Sequence, residues 1–269
     1  MDVNETKIYK YQWDGKGNGV DNWFLMGSPI PVMTIMISYW LFVLKLGPMY
    51  MKNRSPYPLV NILGVYNVIQ VMISFLICYQ GTTFLWNNGV LQTECIMEKA
   101  DLKKTATIGT YTYFLAKITE LLDTIFFILR KKYNQASFLH IYHHSFTVLS
   151  TWAILKYEPN VNAVVFLGTI NSYVHIVMYA YYGLSAYPEL AKYLWWKKYI
   201  TKMQLIQFVL ILAHFLTEYK LAKCKPSYVV TTLVCGNLLL FVYLFTDFYM
   251  KTYKNQSEEN NNKSSKKVD

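Results

Sequence analysis

The sequence predicts an all-α, polytopic membrane protein with seven transmembrane helices, and three observations carry that expectation. Apolar residues come in long blocks rather than amphipathic stripes, and each block approaches the roughly 20 helical residues needed to cross a bilayer core of about 30 Å. Of the 269 residues, 54% are hydrophobic and only 16% charged, against roughly 25% charged in a typical soluble domain. The net charge of +10 is carried by short basic clusters between the blocks, which suits basic loops beside a membrane better than a nucleic-acid surface. No zinc spacing, P-loop or Gly-rich dinucleotide fingerprint is present, so neither a nucleic-acid partner nor a bound cofactor is expected.

Residues 1–28 are polar and lack the pattern of a cleavable signal peptide. They are expected to be a lumenal segment, in which Asn4-Glu5-Thr6 forms a glycosylation sequon. The membrane domain is expected over 29–250, with helices at about 30–51, 59–80, 107–129, 138–156, 161–183, 199–219 and 227–250. Pro29 and Pro31 open the first, where a missing N–H costs little. Residues 251–269 are rich in Asn, Ser and Lys and cannot build a core. They are expected to form a disordered tail, with sequons at Asn255 and Asn262.

An odd number of spans puts the chain ends on opposite sides. A cytosolic C-terminus places Lys52, Arg54, Arg130, Lys131, Lys132, Lys192, Lys197 and Lys198 in cytosolic loops, eight basic residues against six in the opposite loops, a weak positive-inside bias. The ending Lys266-Lys267-Val268-Asp269 resembles the dilysine retrieval signal of endoplasmic-reticulum membrane proteins, which is read in the cytosol. In this orientation Cys95 and Cys224 fall in lumenal loops, where a disulfide between them is expected in the oxidising compartment.

Polar residues inside the apolar blocks mark a candidate site, because each ionisable group at a helix centre costs about 2.5–3.5 kcal/mol on insertion. Three of the five histidines form His140-Ile141-Tyr142-His143-His144; on a helix their side chains share one face. The third block carries Lys117, Glu120, Asp123 and Thr124. Lys117 and Glu120 can pair, either as part of a site or as a structural ion pair. The fifth carries Asn171, His175, Tyr179 and Tyr182 as one polar stripe, and the sixth carries Thr201, Gln204 and Gln207. Interhelical hydrogen bonding is the plainer alternative for both. His214 stands alone and reads as a packing residue.

These residues spell four motifs in order: Lys-x-x-Glu-x-x-Asp-Thr at 117–124, His-x-x-His-His at 140–144, Asn-x-x-x-His-x-x-Met-Tyr-x-Tyr-Tyr at 171–182, and Thr-x-x-Gln-x-x-Gln at 201–207. Together they resemble the ELO family of very-long-chain fatty acid elongases, the membrane 3-ketoacyl-CoA synthases. The resemblance spans roughly residues 20–250 and includes the run Gly47–Arg54 and the Leu129-Arg130-Lys131-Lys132 stretch. It implies a seven-helix fold with six helices around a substrate tunnel and the first outside. It also implies condensation of a long-chain acyl-CoA with malonyl-CoA, giving 3-ketoacyl-CoA, CO2 and CoA, with both thioesters as substrates and no metal. Membrane lipids, a homodimer and the later enzymes of the elongation cycle are the implied partners, in the endoplasmic reticulum.

No cysteine lies within the motifs, so histidine is the expected nucleophile and base. His143 is expected to carry the acyl group, with His175 as base or enolate stabiliser and His140 and His144 orienting partners. Lys117, Glu120 and Asp123 support the catalytic centre. Asn171, Tyr179, Tyr182, Thr201 and Gln204 are the candidate substrate-binding residues. A ternary complex using the same histidines only as acids and bases is the alternative within this class. A di-iron desaturase also uses His-x-x-His-His but needs more histidines than the five present. A transporter or receptor shares the seven-helix layout without requiring a histidine cluster.

Overall fold

A computed structural model describes residues 7–8, 19–91, 95, 98–158 and 162–254. The sequon at Asn4, those at Asn255 and Asn262, and the dilysine ending lie outside the described residues. Seven long helices dominate the described chain: α1 (Pro29–Met51), α2 (Val60–Asn88), α3 (Ala100–Leu129), α4 (Phe138–Tyr157), α5 (Asn162–Ser185), α7 (Lys197–Leu221) and α8 (Tyr228–Tyr249), with a single-turn α6 (Pro188–Ala191) between α5 and α7. Five of them, α1, α2, α5, α7 and α8, are long and apolar enough to cross a membrane. The other two, α3 and α4, carry the lysine, carboxylates and histidines singled out above, which lower their mean hydropathy.

Local chemistry explains the helix borders. Pro48 has no N–H to return to the preceding turn, and α1 widens into a π-turn over Phe42–Leu46 just before it. Gly47 keeps that turn clear of α3, since a Cβ there would sit 2.8 Å from Ile128. Ser137 caps α4, its hydroxyl accepting the His140 backbone N–H, so the first histidine lies in the first turn. Ser227 caps α8 in the same way. The helical backbone runs on past α8 through Met250–Lys254 as a π-turn.

The helices pack as a closed ring in the order α2, α3, α4, α8, α7, α5 and back to α2, while α3 and α5 also touch across its interior. α1 lies outside the ring, its Val32, Met36 and Val43 packed with Phe114 and Leu121 of α3 and Val148 of α4. The α2–α5 seam is the most extensive contact and depends on glycine: a Cβ on Gly81 would lie 1.9 Å from the Thr169 hydroxyl, and, just past the end of α5, one on Gly64 would lie 2.6 Å from the Tyr187 hydroxyl. Outward faces are apolar, with Val65, Met72 and Phe75 of α2 and Leu233, Leu239 and Tyr243 of α8 exposed. An all-α polytopic membrane protein accounts for that surface.

One end of the bundle is tied together. Lys7–Ile8 pairs in parallel with Cys224–Lys225, and Cys224 is disulfide-bonded to Cys95, with a Cα separation of 5.2 Å. Buried Glu158, after α4, accepts the Ser227 hydroxyl at 2.6 Å. Lys156 of α4 pairs with Asp21 and donates to the Met26 carbonyl at 2.7 Å, while the Trp152 indole donates to the Leu25 carbonyl. These contacts all lie at the end where α2, α4 and α7 finish and α1, α3, α5 and α8 begin.

Candidate active site

Inside the ring, α3 and α5 build a buried polar knot. The Lys117 ammonium donates to both Glu120 carboxylate oxygens, at 2.8 and 3.0 Å, and to Asn171 Oδ1 at 2.8 Å. Its Nζ also sits 4.6 Å from the centroid of the Tyr113 ring, a cation–π arrangement. The Tyr113 hydroxyl donates to the same Asn171 oxygen at 3.0 Å. His175 Nδ1 lies 3.1 Å from Glu120 Oε1 and 3.5 Å from Lys117 Nζ. A carboxylate can only accept, so the Glu120 contact fixes the proton on Nδ1 and leaves the lone pair of His175 on Nε2. The i, i+3 spacing of Lys117 and Glu120 and the i, i+4 spacing of Asn171 and His175 put each pair on one helix face, and the α3–α5 contact brings the two faces together.

The His box divides its work. His144 is buried with its Nδ1 3.9 Å from Glu120 Oε2, and its ring lies 4.3 Å from that of His140. His143 faces the other way, its ring against Phe241 of α8 at 4.8 Å and Phe208 of α7 at 6.2 Å. Neighbours at i+3 and i+4 are separated by about 100° around a helix, so the two adjacent histidines serve different walls. His143 and Asn171 line a narrow channel of about 60 Å³ between α4, α5, α7 and α8, which continues past Ile154 to Phe215 and Val230. Buried ring nitrogens His140 Nε2, His143 Nδ1 and His144 Nδ1 have no hydrogen-bond partner among the described residues.

A family model described as ELO, the GNS1/SUR4 family, matches residues 24–261, which contain every one of these side chains. The chain belongs to the ELO family. It is 39% identical over 232 residues to very long chain fatty acid elongase 7 of Drosophila melanogaster, covering 85% of this chain and 70% of that protein. It is 37% identical over 260 residues to human very long chain fatty acid elongase 4, covering 94% and 81%. It is 38% identical over 237 residues to mouse very long chain fatty acid elongase 2, covering 87% and 80%.

The remaining ELO motif residues sit nearer the basic loops. Asp123 accepts from the Tyr179 hydroxyl at 2.7 Å, and Thr124 bonds the Tyr39 hydroxyl of α1 at 2.8 Å. Tyr182 packs edge-on against Tyr179. Thr201 is buried on α7, and the Gln204 amide reaches the Met178 sulfur at 3.6 Å. None of Tyr179, Tyr182, Thr201 and Gln204 lines the channel beside His143. His214 stacks on Phe166 at 3.8 Å and contacts the Val90 carbonyl, outside the polar knot. The motifs alone miss several participants: Tyr113, Gln70, whose amide donates to Thr119 at 2.9 Å, and Trp40, whose indole donates to Ser145. Tyr113 lies one turn before Lys117, an i−4 relation visible in the sequence. The other two depend on contacts between distant helices.

Proposed function

We propose that this chain is a very-long-chain 3-oxoacyl-CoA synthase, catalysing the condensing step of fatty acid elongation. The observation that carries the reading is His143. It is a histidine with a buried, unpartnered ring nitrogen, set at the head of a channel lined by Phe208 and Phe241 and beside a Lys–Glu–His knot. The relatives are named as very long chain fatty acid elongases, which supports a role in fatty acid elongation.

In the first half-reaction a His143 ring nitrogen attacks the acyl-CoA carbonyl. The C–S bond breaks, the imidazole proton passes to the departing sulfur, and acyl-imidazole and CoA result. In the second half-reaction malonyl-CoA loses CO2, and the carbon of the resulting enolate attacks the acyl-imidazole carbonyl. The new C–C bond releases His143, which takes up a proton, and 3-ketoacyl-CoA leaves. His175, with Nδ1 held by Glu120, offers Nε2 for the enolate oxygen or the transferred proton. Lys117 and Asn171 hold that assembly in place, and His140 and His144 orient the box. Asp123, Tyr179, Tyr182, Thr201 and Gln204 form the wall through which the CoA thioester approaches. The protein would work in the endoplasmic-reticulum membrane with seven spans, its disulfide end lumenal and its C-terminus cytosolic, as a homodimer beside the later enzymes of the elongation cycle.

The test uses purified protein, a chelator, a panel of long acyl-CoAs and malonyl-CoA labelled at the retained carbons. Wild type is expected to yield labelled 3-ketoacyl-CoA. His175→Ala should lose at least ~100-fold, the range for a general acid–base group, and His143→Ala should also lose the CoA released from acyl-CoA alone. Undiminished product from His143→Ala would overturn the acyl-enzyme; no product from wild type with any acyl-CoA would overturn the condensing activity.

A further inference from the structure

The channel beside His143 is too small for a long acyl chain: about 60 Å³, where sites for drug-sized ligands hold roughly 300–1,000 Å³. A second cavity of about 470 Å³ lies between α2, α3 and α5, across the line where α3 touches α5 and open on its far side past exposed Tyr79 and Ile108. Two residues line both spaces, Tyr113 and Val164. The Tyr113 ring rests on Gly168, 3.5 Å from where a Cβ would stand, and its hydroxyl is pinned to Asn171. Val164 is buried in the cluster of Ile154, Phe215 and Val230 that closes the channel. The larger cavity has an apolar inner wall of Ile77, Phe84, Leu102, Ala106 and Val165. A methyl-terminated chain fits that wall, and the two shared residues are what divides it from the channel.

We propose that Tyr113 and Val164 form a gate that sets the longest acyl chain the site accepts, and that the cavity between α2, α3 and α5 receives the end of the chain once the gate is passed. The proposal rests on the condensing reading for its choice of occupant. Tyr113 acts at two places: its hydroxyl and ring hold the polar knot, and its edge stands between the two compartments. Chain length is thereby sensed by a residue in contact with Asn171 and Lys117. Gly109, one turn before Tyr113, lines the larger cavity with nothing within 4 Å of an added Cβ. A side chain there starts from open space and enters the compartment.

The experiment measures, on the full-length protein, both binding and turnover of saturated acyl-CoAs of increasing length. Each buried methylene strengthens binding about fourfold, so affinity should climb with length and then level off where the chain end is stopped. Val164→Ala should move that break to chains longer by about two carbons or more, an estimate from one alanine-sized opening. Gly109→Phe alone should leave the break in place, and in the double variant it should cancel the gain from Val164→Ala. Tyr113→Leu should lengthen the break as Val164→Ala does, while Tyr113→Phe, which keeps the ring, should leave it in place. A break fixed in all the variants, or a gain that survives Gly109→Phe, would overturn the gate. Shifting breaks in a protein without turnover would sink the condensing reading and leave the gate, whereas turnover with a fixed break would do the reverse.

Discussion

At the scale of single residues, the site depends on one carboxylate with several partners. Glu120 accepts two hydrogen bonds from Lys117, one contact from His175 and a longer one from His144. Removing either member of a buried ion pair strands the other and costs about 3–5 kcal/mol, whereas replacing both with apolar groups of similar size is often neutral. Glu120→Gln and Lys117→Met should therefore each lower thermal stability in detergent by several degrees. The double variant Glu120→Leu with Lys117→Met should recover most of it, and all three should lack condensing activity. Recovered activity in the stable double variant would show that the pair is only structural. The motif spacing made Lys117, Glu120, Asn171 and His175 legible because periodicity places them on helix faces. That Asn171 is shared by Lys117 and Tyr113 was not legible, since it depends on which faces of α3 and α5 meet. The sequence spacing puts the His box on one helix face; the structure corrects it, because the roughly 100° between His143 and His144 turns one toward Phe241 and the other toward Glu120.

At the scale of helices, the seven apolar blocks mark their elements to within a residue or two at most ends. The largest departures are at one connection. α2 continues two turns past 80, and α3 begins two turns before 107. Gly81-Thr82-Thr83 and Lys103-Lys104 read as loop because they are not apolar, but a 29-residue helix is about 43 Å long and overshoots a core of about 30 Å. Gly81, outside the apolar block, is a contact point, because α5 comes so close that only hydrogen fits against Thr169. Gly81→Ala should lose about 1–3 kcal/mol by overpacking, despite alanine's better helix propensity. Adding Thr169→Ala should restore part of the loss, read as the unfolding midpoint in detergent; an unchanged Gly81→Ala midpoint would mean that the seam is loose.

At the scale of the whole molecule, the disulfide joins the α2–α3 loop to the α7–α8 loop over a sequence separation of 129 residues. Loop-closure entropy for a loop of that length places its stabilisation at up to about 5 kcal/mol. Peptide mapping should recover Cys95 and Cys224 as one linked fragment without reductant and as two with it. The reduced protein and the Cys95→Ser, Cys224→Ser variant should melt at the same lowered temperature. Two free thiols in the unreduced map would refute this. The two cysteines were paired in the sequence by compartment alone. The parallel Lys7–Ile8 strand against Cys224–Lys225 left no mark in the sequence, since two residues carry no alternation to read.

The fastening at that end has a mechanical consequence. The disulfide, the Lys156 anchor and the Glu158–Ser227 bond all sit where α4 finishes, while the histidines lie near where it starts. A bundle laced at one end moves as a fan does. A tilt of a few degrees about the laced end displaces the other end of a helix roughly 40 Å long by a few ångströms, while the laced end scarcely shifts. Displacement is thus greatest beside the His box and least beside the disulfide, so the same frame can be compliant at one end and fixed at the other.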